Sequence, residues 1–377
     1  MAQPACRLLI TGANGFIGKN LMVRLGELPH YAVSTFVRGD DVSQLPALVA
    51  QADAIIHLAG ENRPQDENAF SEVNTGLTRA LCDAIRQVIA DTGRKVPLVL
   101  ASSTQAAREN PYGRSKLAAE QAVQTLANTT GTPSVVFRLP GVFGKWCKPD
   151  YNSVVATFCH NIARGLPIHI NDPTASLRLV YVDDVVSALL DSIKKSTSGC
   201  TQGVVEPEYT ISVGELAGRI EAFGNCRSTL FSERVGTGLT RALYATYISY
   251  LPSESFSYEI PRYADSRGVF VEMLKTPDSG QFSYFTAHPG ITRGGHYHHT
   301  KTEKFLVIKG QALFRFRHLL TNERVELRTC GDKPEIVDTI PGWVHDITNV
   351  GDTELVVMLW ANENFDRQKP DTIASEV

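Results

Sequence analysis

What the chain lacks narrows the field first. No run of apolar residues reaches the roughly 18–20 needed to cross a bilayer, so a membrane span is not expected. Net charge is small: 37 Lys and Arg against 40 Asp and Glu leave −3 at pH 7. That removes the bulk electrostatic pull toward nucleic acid or an anionic membrane. The seven cysteines, at 6, 82, 147, 159, 200, 226 and 330, are odd in number and include no Cys-x-x-Cys pair. A disulfide framework and a cysteine-rich zinc ribbon are thereby excluded, and free thiols in a reducing cytoplasm are expected. The N-terminus has no basic segment leading into a long apolar core. Its first apolar stretch is interrupted by Thr11-Gly12 and reads as a strand rather than a leader.

At roughly 100–200 residues per domain, 377 residues accommodate two or three domains. Up to about residue 250, short apolar runs alternate with helical stretches. The runs are Leu8–Thr11, Tyr31–Val37, Asp53–Ala59, Leu98–Ala101, Val135–Leu139 and Leu179–Val182, and Asn68–Ala90 carries apolar residues at three- and four-residue steps. Fully apolar strands alternating with helices predict an α/β doubly wound parallel sheet over residues 1–250, covered on both faces. From Phe256 the pattern changes to closely spaced strand-like runs separated by Gly, Pro, Asn and Asp: Val269–Leu274, Phe282–Ala287, Lys304–Ile308, Ala312–Arg317, Glu335–Thr339 and Glu354–Trp360. Such spacing predicts an all-β sandwich or barrel over 256–377, with Leu251–Ser255 as linker.

Three motifs carry chemistry in the first region. Gly12, Asn14, Gly15, Phe16, Ile17 and Gly18 follow the first strand and open a helix. Glycines there allow a tight turn and close approach of backbone to a pyrophosphate, which the helix N-terminus then binds. The second strand ends on Arg38, whose forked guanidinium suits a ribose 2′-phosphate and so NADPH; the competing assignment has Asp40 or Asp41 on an unphosphorylated ribose. Tyr112 and Lys116 stand four residues apart, on one face of a helix. A cation near the phenol lowers its pKa from about 10 and makes it a usable general acid or base. Ser103, or the adjacent Thr104, is placed to hydrogen-bond the same substrate oxygen.

Together these segments, with Asp53, His57-Leu58-Ala59-Gly60, Ser102-Ser103, Arg138-Leu139-Pro140-Gly141 and Tyr181-Val182-Asp183-Asp184, resemble the extended short-chain dehydrogenase/reductase family over the first 240 or so residues. The resemblance implies a Rossmann-type fold, a nicotinamide cofactor lined by Leu58 and Ala59 as well as the glycine turn, Ser103/Tyr112/Lys116 as catalytic residues, and a nucleotide-linked sugar as substrate. Ser103 and Tyr112 lie nine residues apart, closer than is usual in that family.

The second region holds His296, His298 and Glu303 near a turn, then His345 in Pro341-Gly342-Trp343-Val344-His345. On a strand, His296 and His298 share a face, and three imidazoles with one carboxylate suit Zn²⁺ or another divalent first-row ion. The spacing resembles the cupin motifs, which imply a jelly-roll barrel with Glu303 and His345 on neighbouring strands; His288 and His299 are bystanders. Asp265-Ser266-Arg267-Gly268-Val269-Phe270 and Arg293-Gly294-Gly295-His296 also resemble the deoxysugar 3,5-epimerase and ketoisomerase cupins, where the equivalent histidine is a base. Ligand and base therefore compete for His296.

The whole chain resembles bifunctional enzymes of capsule and lipopolysaccharide precursor synthesis, which join these two domains. That resemblance implies a UDP-linked 2-acetamido-2,6-dideoxy-4-hexulose, epimerised at C3 by the cupin and then reduced at C4 with NADPH, on the way to UDP-N-acetyl-L-fucosamine, by a cytoplasmic homodimer. The order follows from chemistry: the C3 proton is acidic only while C4 is a ketone. Arg178 and Asn152 are candidate contacts to the UDP-sugar. The alternatives are a reductase whose cupin serves only assembly, and an NADP(H)-binding protein without turnover.

Overall fold

The structure, a computed structural model, describes residues 6–62, 70–194, 197–261, 263–265, 268–270, 274, 276, 280–363 and 368–377, with backbone alone at 263–265, 268–270, 281 and 283. It divides into two compact units: Met1–Ser153 with Leu177–Thr210, and Val154–Ser176 with Ile211–Val377.

The first unit follows the predicted alternation. It runs β1 (Cys6–Thr11), α1 (Phe16–Gly26), β2 (Tyr31–Phe36), α2 (Leu45–Gln51), β3 (Ala54–His57), α3 (Leu77–Thr92), β4 (Leu98–Ser103), α4 (Pro111–Thr130), β5 (Ser134–Leu139) and β6 (Gly141–Phe143). After α5 (Val154–Ile162), which belongs to the second unit, come β7 (Ser176–Tyr181), α6 (Val182–Lys194), β8 (Cys200–Gly203) and β9 (Glu208–Ser212). Six strands form a parallel sheet in the order β2-β1-β3-β4-β5-β8. The alternation of side chains along β1 shows why its strands are apolar throughout. Leu9 packs with Leu81 and Ile85 of α3 and Val123 of α4, while Leu8 and Ile10 pack with Leu21 of α1 and Val185 and Leu189 of α6. The helix expected from Asn68 begins regularly only at Leu77; a π-helical turn, Phe70–Gly76, precedes it, and residues 68 and 69 lie outside the described residues.

In the second unit, α5 packs with α7 (Val213–Thr229) and α8 (Gly238–Ile248), neither of which the sequence reading picked out. The strands that follow are β10 (Ser257–Glu259), β11 (Tyr263–Asp265), β12 (Gly268–Phe270), β13 (Gln281–Ala287), β14 (Thr292–Tyr297), β15 (Glu303–Lys309), β16 (Gln311–His318), β17 (Arg324–Cys330), β18 (Glu335–Asp338), β19 (Trp343–Asn349), β20 (Leu355–Ala361) and β21 (Ile373–Ala374). They build two five-stranded sheets, β10-β18-β15-β20-β13 and β17-β16-β19-β14-β21. Phe305 of the first sheet meets Phe314 of the second at 5.6 Å between ring centroids, so the two inner faces share one core. This is the expected all-β cupin architecture. The run expected at Val269–Leu274 corresponds to β12 as far as Phe270; residues 271–273 lie outside the described residues, as do Ser266 and Arg267. Among the described residues, no helix is long and apolar enough to cross a membrane.

Candidate active site and metal centre

At the end of β1 the chain turns through Gly12, which sits at φ 72°. A Cβ at this position would lie 2.6 Å from the Ala59 nitrogen and 2.7 Å from its Cα. Only glycine lets the turn rest this close to the segment that continues β3. Thr11 secures the approach: its carbonyl accepts from the Leu58 amide at 3.1 Å and its hydroxyl from the Ala59 amide at 3.3 Å. The strand order reverses between β1 and β3, the place where open α/β sheets bind nucleotides. The structure thus sets Gly12, from which the chain runs through Asn14, Gly15, Phe16, Ile17 and Gly18 into α1, against Leu58 and Ala59. No side chain caps α1, whose N-cap is Gly15, and its first turn carries no acid. Both features suit a phosphate at that end.

Arg38 lies just past β2, with its side chain 84% exposed and its guanidinium 2.5 Å from Glu61. The other oxygen of Glu61 accepts from the Tyr151 hydroxyl at 2.9 Å. The two acids that competed for the ribose are both engaged locally: Asp40 accepts from the Val37 amide at 2.7 Å, and Asp41 from the Ser43 amide at 2.9 Å. Arg178 is paired with Glu208.

The start of α4 holds the tyrosine and lysine. Asn110 caps the helix by accepting from the Gly113 amide at 2.7 Å, and Pro111 fits its first turn. Tyr112 lies within reach of the Ser103 hydroxyl, which itself accepts from the Gln105 amide at 3.1 Å. The Lys116 ammonium lies 5.9 Å from the Tyr112 ring centroid. The expected lowering of the phenol's pKa by Lys116 is not what this structure shows. Burial raises the Tyr112 pKa, the Ser103 hydrogen bond acts against it, and Lys116 is itself pushed down to about 8 by burial, against the pull of Glu120. Desolvation is the largest influence on the phenol.

Several residues beneath this pair escaped the sequence reading. Asn74, in the π-helical turn, exchanges hydrogen bonds with Glu61 (Glu61 N–H to Oδ1 at 2.8 Å, Nδ2 to Glu61 O at 3.1 Å) and donates to Ser115 Oγ at 2.9 Å. Ser115 in turn donates to the Tyr112 carbonyl at 2.8 Å. His57 lies between Thr11 (2.6 Å) and Thr78 (2.9 Å), and Thr78 donates onward to the Asn74 carbonyl at 2.6 Å. Since the Thr78 proton is committed, His57 donates from Nε2, and in the neutral ring Nδ1 accepts from Thr11. Full burial, followed by the charge of Lys116, pushes its pKa down to about 3. An asparagine inside an otherwise helical stretch was the available signal, because its side chain competes with the helix for backbone groups.

In the second unit, ligand-capable atoms of His296, His298, Glu303 and His345 all lie within 4.8 Å of one another. His296 and His345 face each other in the register of β14 and β19. His298 lies just beyond β14, and Glu303 opens β15 in the opposite sheet. The carboxylate therefore reaches across the barrel rather than from a strand beside His345, as the cupin resemblance had implied. His288 and His299 are outside the cluster.

The hydrogen-bonding pattern shows what the cluster fits. His298 Nδ1 contacts the Asp371 carbonyl, which can only accept, so Nδ1 carries a proton and Nε2 is the nitrogen turned toward the cluster. That nitrogen lies 3.2 Å from Glu303 Oε2. His345 is buried, with neither ring nitrogen hydrogen-bonded; its Nε2 lies 3.5 Å from the same oxygen. Burial and the neighbouring imidazoles His345 and His298 push His296 to about 3, and burial also lowers His345. Burial opposes ionisation of Glu303, yet the adjacent His298 and His345 rings and the charge of Lys301 hold it well below the usual carboxylate range. Three imidazoles and a carboxylate whose ligand-capable atoms converge suit a divalent cation.

Comparison with known proteins agrees with both halves. The sequence pattern of the NAD dependent epimerase/dehydratase family matches residues 8–206. That of the polysaccharide biosynthesis C-terminal domain matches residues 263–373. The chain is 56% identical to the UDP-2-acetamido-2,6-beta-L-arabino-hexul-4-ose reductase of Pseudomonas aeruginosa over 371 residues, 98% of this chain and 99% of that protein. It is 39% identical to the crystal structure of the capsular polysaccharide assembling protein CapF from Staphylococcus aureus, with a TM-score of 0.63 over 98% of this chain and 100% of that one. A UDP-glucose 4-epimerase from Thermotoga maritima, 22% identical with a TM-score of 0.51, shares its fold with 58% of this chain and covers 82% of its own.

Proposed function

This chain belongs to the NAD dependent epimerase/dehydratase family, and on that premise we propose that it is a bifunctional sugar-nucleotide enzyme. Residues 256–377 epimerise C3 of a UDP-2-acetamido-2,6-dideoxy-4-hexulose, and residues 1–250 then reduce its C4 ketone with NADPH, for a capsule or O-antigen precursor. The observation that carries the reductase half is Tyr112 within reach of Ser103, with the Lys116 ammonium 5.9 Å from its ring centroid. The Pseudomonas aeruginosa relative, similar along its whole length, is named for reduction of a UDP-linked 4-hexulose.

The glycine turn and Arg38 would hold NADPH, which would supply the hydride for C4, and His296, His298, Glu303 and His345 would hold a divalent ion, which would supply positive charge to the epimerisation site. The remaining work falls to side chains. Ser103 orients the C4 oxygen, and Tyr112 gives it the proton that completes the alcohol. Lys116 restores charge balance when the phenol has lost that proton. Arg38 takes the 2′-phosphate, with Asp40 and Asp41 engaged elsewhere. In the cupin, removal of the C3 proton gives an enolate whose charge rests on the C4 oxygen, and return of a proton to the other face inverts the centre.

NADPH oxidation with the UDP-4-keto sugar tests the reading. Wild type turns over, and Tyr112→Phe loses about 10²–10⁴-fold in kcat, the usual contribution of a positioned acid. Turnover by Tyr112→Phe within threefold of wild type overturns the assignment.

A further inference from the structure

We propose that Asp371, in the C-terminal segment, is a positioning residue that sets the geometry of the cupin metal centre. The proposal rests on the reading that His296, His298, Glu303 and His345 hold a divalent ion.

The link between β14 and β15 carries His298 and leads directly into Glu303. It is buried and lies outside both sheets, so its backbone amides need other partners. Each of five successive amides finds one in a side-chain oxygen. Asp371 accepts from His299 at 2.9 Å, Thr300 at 2.7 Å and Lys301 at 2.7 Å. Asn362 accepts from Thr302 at 2.8 Å, and Thr339 accepts from Glu303 at 2.8 Å. Asp371 also takes the Thr300 hydroxyl at 3.1 Å. Its main chain acts separately, because its carbonyl receives His298 Nδ1–H and so turns Nε2 into the cluster. Two residues later, β21 pairs with β14 at His296 and Tyr297. One short segment therefore fixes the ring orientation of His298, the strand that bears His296 and the path to Glu303. Outer partners of this kind orient metal ligands, and their loss typically costs about 10–100-fold in affinity.

The test uses the full-length protein, stripped and titrated with Zn²⁺ against a competing chelator, and with Co²⁺ for its visible spectrum. Asp371→Asn and Asp371→Ala should weaken Zn²⁺ binding about 10–100-fold and alter the Co²⁺ absorption, with NADPH affinity unchanged. Asp371→Asn keeps the side chain's volume and one acceptor, so it guards against a variant that fails to fold. Native Zn²⁺ affinity and Co²⁺ spectrum in a folded Asp371→Asn or Asp371→Ala protein overturn this inference alone. Failure of wild type to bind Zn²⁺ or Co²⁺ stoichiometrically overturns the metal reading and this inference with it.

Discussion

Replacing Gly60 with alanine probes the reductase site through one atom. The new Cβ would stand 2.9 Å from Lys116 Nζ and 3.0 Å from Asn74 Oδ1. Ordinary contacts need about 3.5–4 Å, so the ammonium must retreat by about 0.6–1 Å or push the amide aside. Gly60 has no left-handed backbone requirement, and Nζ is the far end of a flexible side chain, so the fold can absorb the methyl. The active geometry cannot, since about 1 Å of misplacement is enough to cost roughly 10²-fold. We expect kcat for the 4-keto sugar to fall about 10–100-fold, or about 1.4–2.7 kcal/mol in activation free energy, with the thermal midpoint nearly unchanged. The control is Gly218→Ala on α7, where a Cβ meets nothing within 4 Å. A Gly60→Ala enzyme with kcat within twofold of wild type would refute the placement of Lys116.

Three further outcomes follow from the same geometry. Arg38→Ser should raise the Kd for NADPH at least about 10-fold, the scale of losing a charged hydrogen bond, while leaving NADH binding unchanged; parallel losses for both cofactors would remove Arg38 from the 2′-phosphate. His57 titrates near 3 in the folded protein and at about 6.5 unfolded. Between those values the unfolded chain binds a proton that the folded one does not, so stability falls as pH drops below 6.5. Urea unfolding should show wild type losing about 2 kcal/mol more than His57→Asn between pH 7 and pH 5, and equal losses would contradict the buried neutral ring. Chelation of the bound metal should lower the thermal midpoint and spare NADPH affinity, whereas an unchanged midpoint would deny the cluster a bound ion.

The layers of the fold and most of the crevice were legible because each depends on local pattern. Leu8, Leu9 and Ile10 are apolar on both faces of β1, which only a sheet covered on both sides requires. Gly12 sits where a side chain cannot. The network beneath the site was not legible, because it is assembled by residues distant in sequence whose types also suit solvent. Asn74 and Ser115 are 41 residues apart in the sequence. Glu303 was singled out as a candidate ligand, but its arrival from the opposite sheet depends on how the barrel closes. Asp371 is one acid among many until the chain returns to cap the 299–301 amides. The phenol's direction of shift also escaped, since neighbouring charge is visible in a sequence and burial is not.

The most direct measurement is proton exchange in D₂O, followed by NMR, with the UDP-2-acetamido-2,6-dideoxy-4-hexulose and no NADPH. A bifunctional enzyme incorporates deuterium at C3 while the ketone persists, and added NADPH then stops exchange as the alcohol forms. NADPH oxidation at full rate with no deuterium at C3 would contradict it and leave a reductase alone.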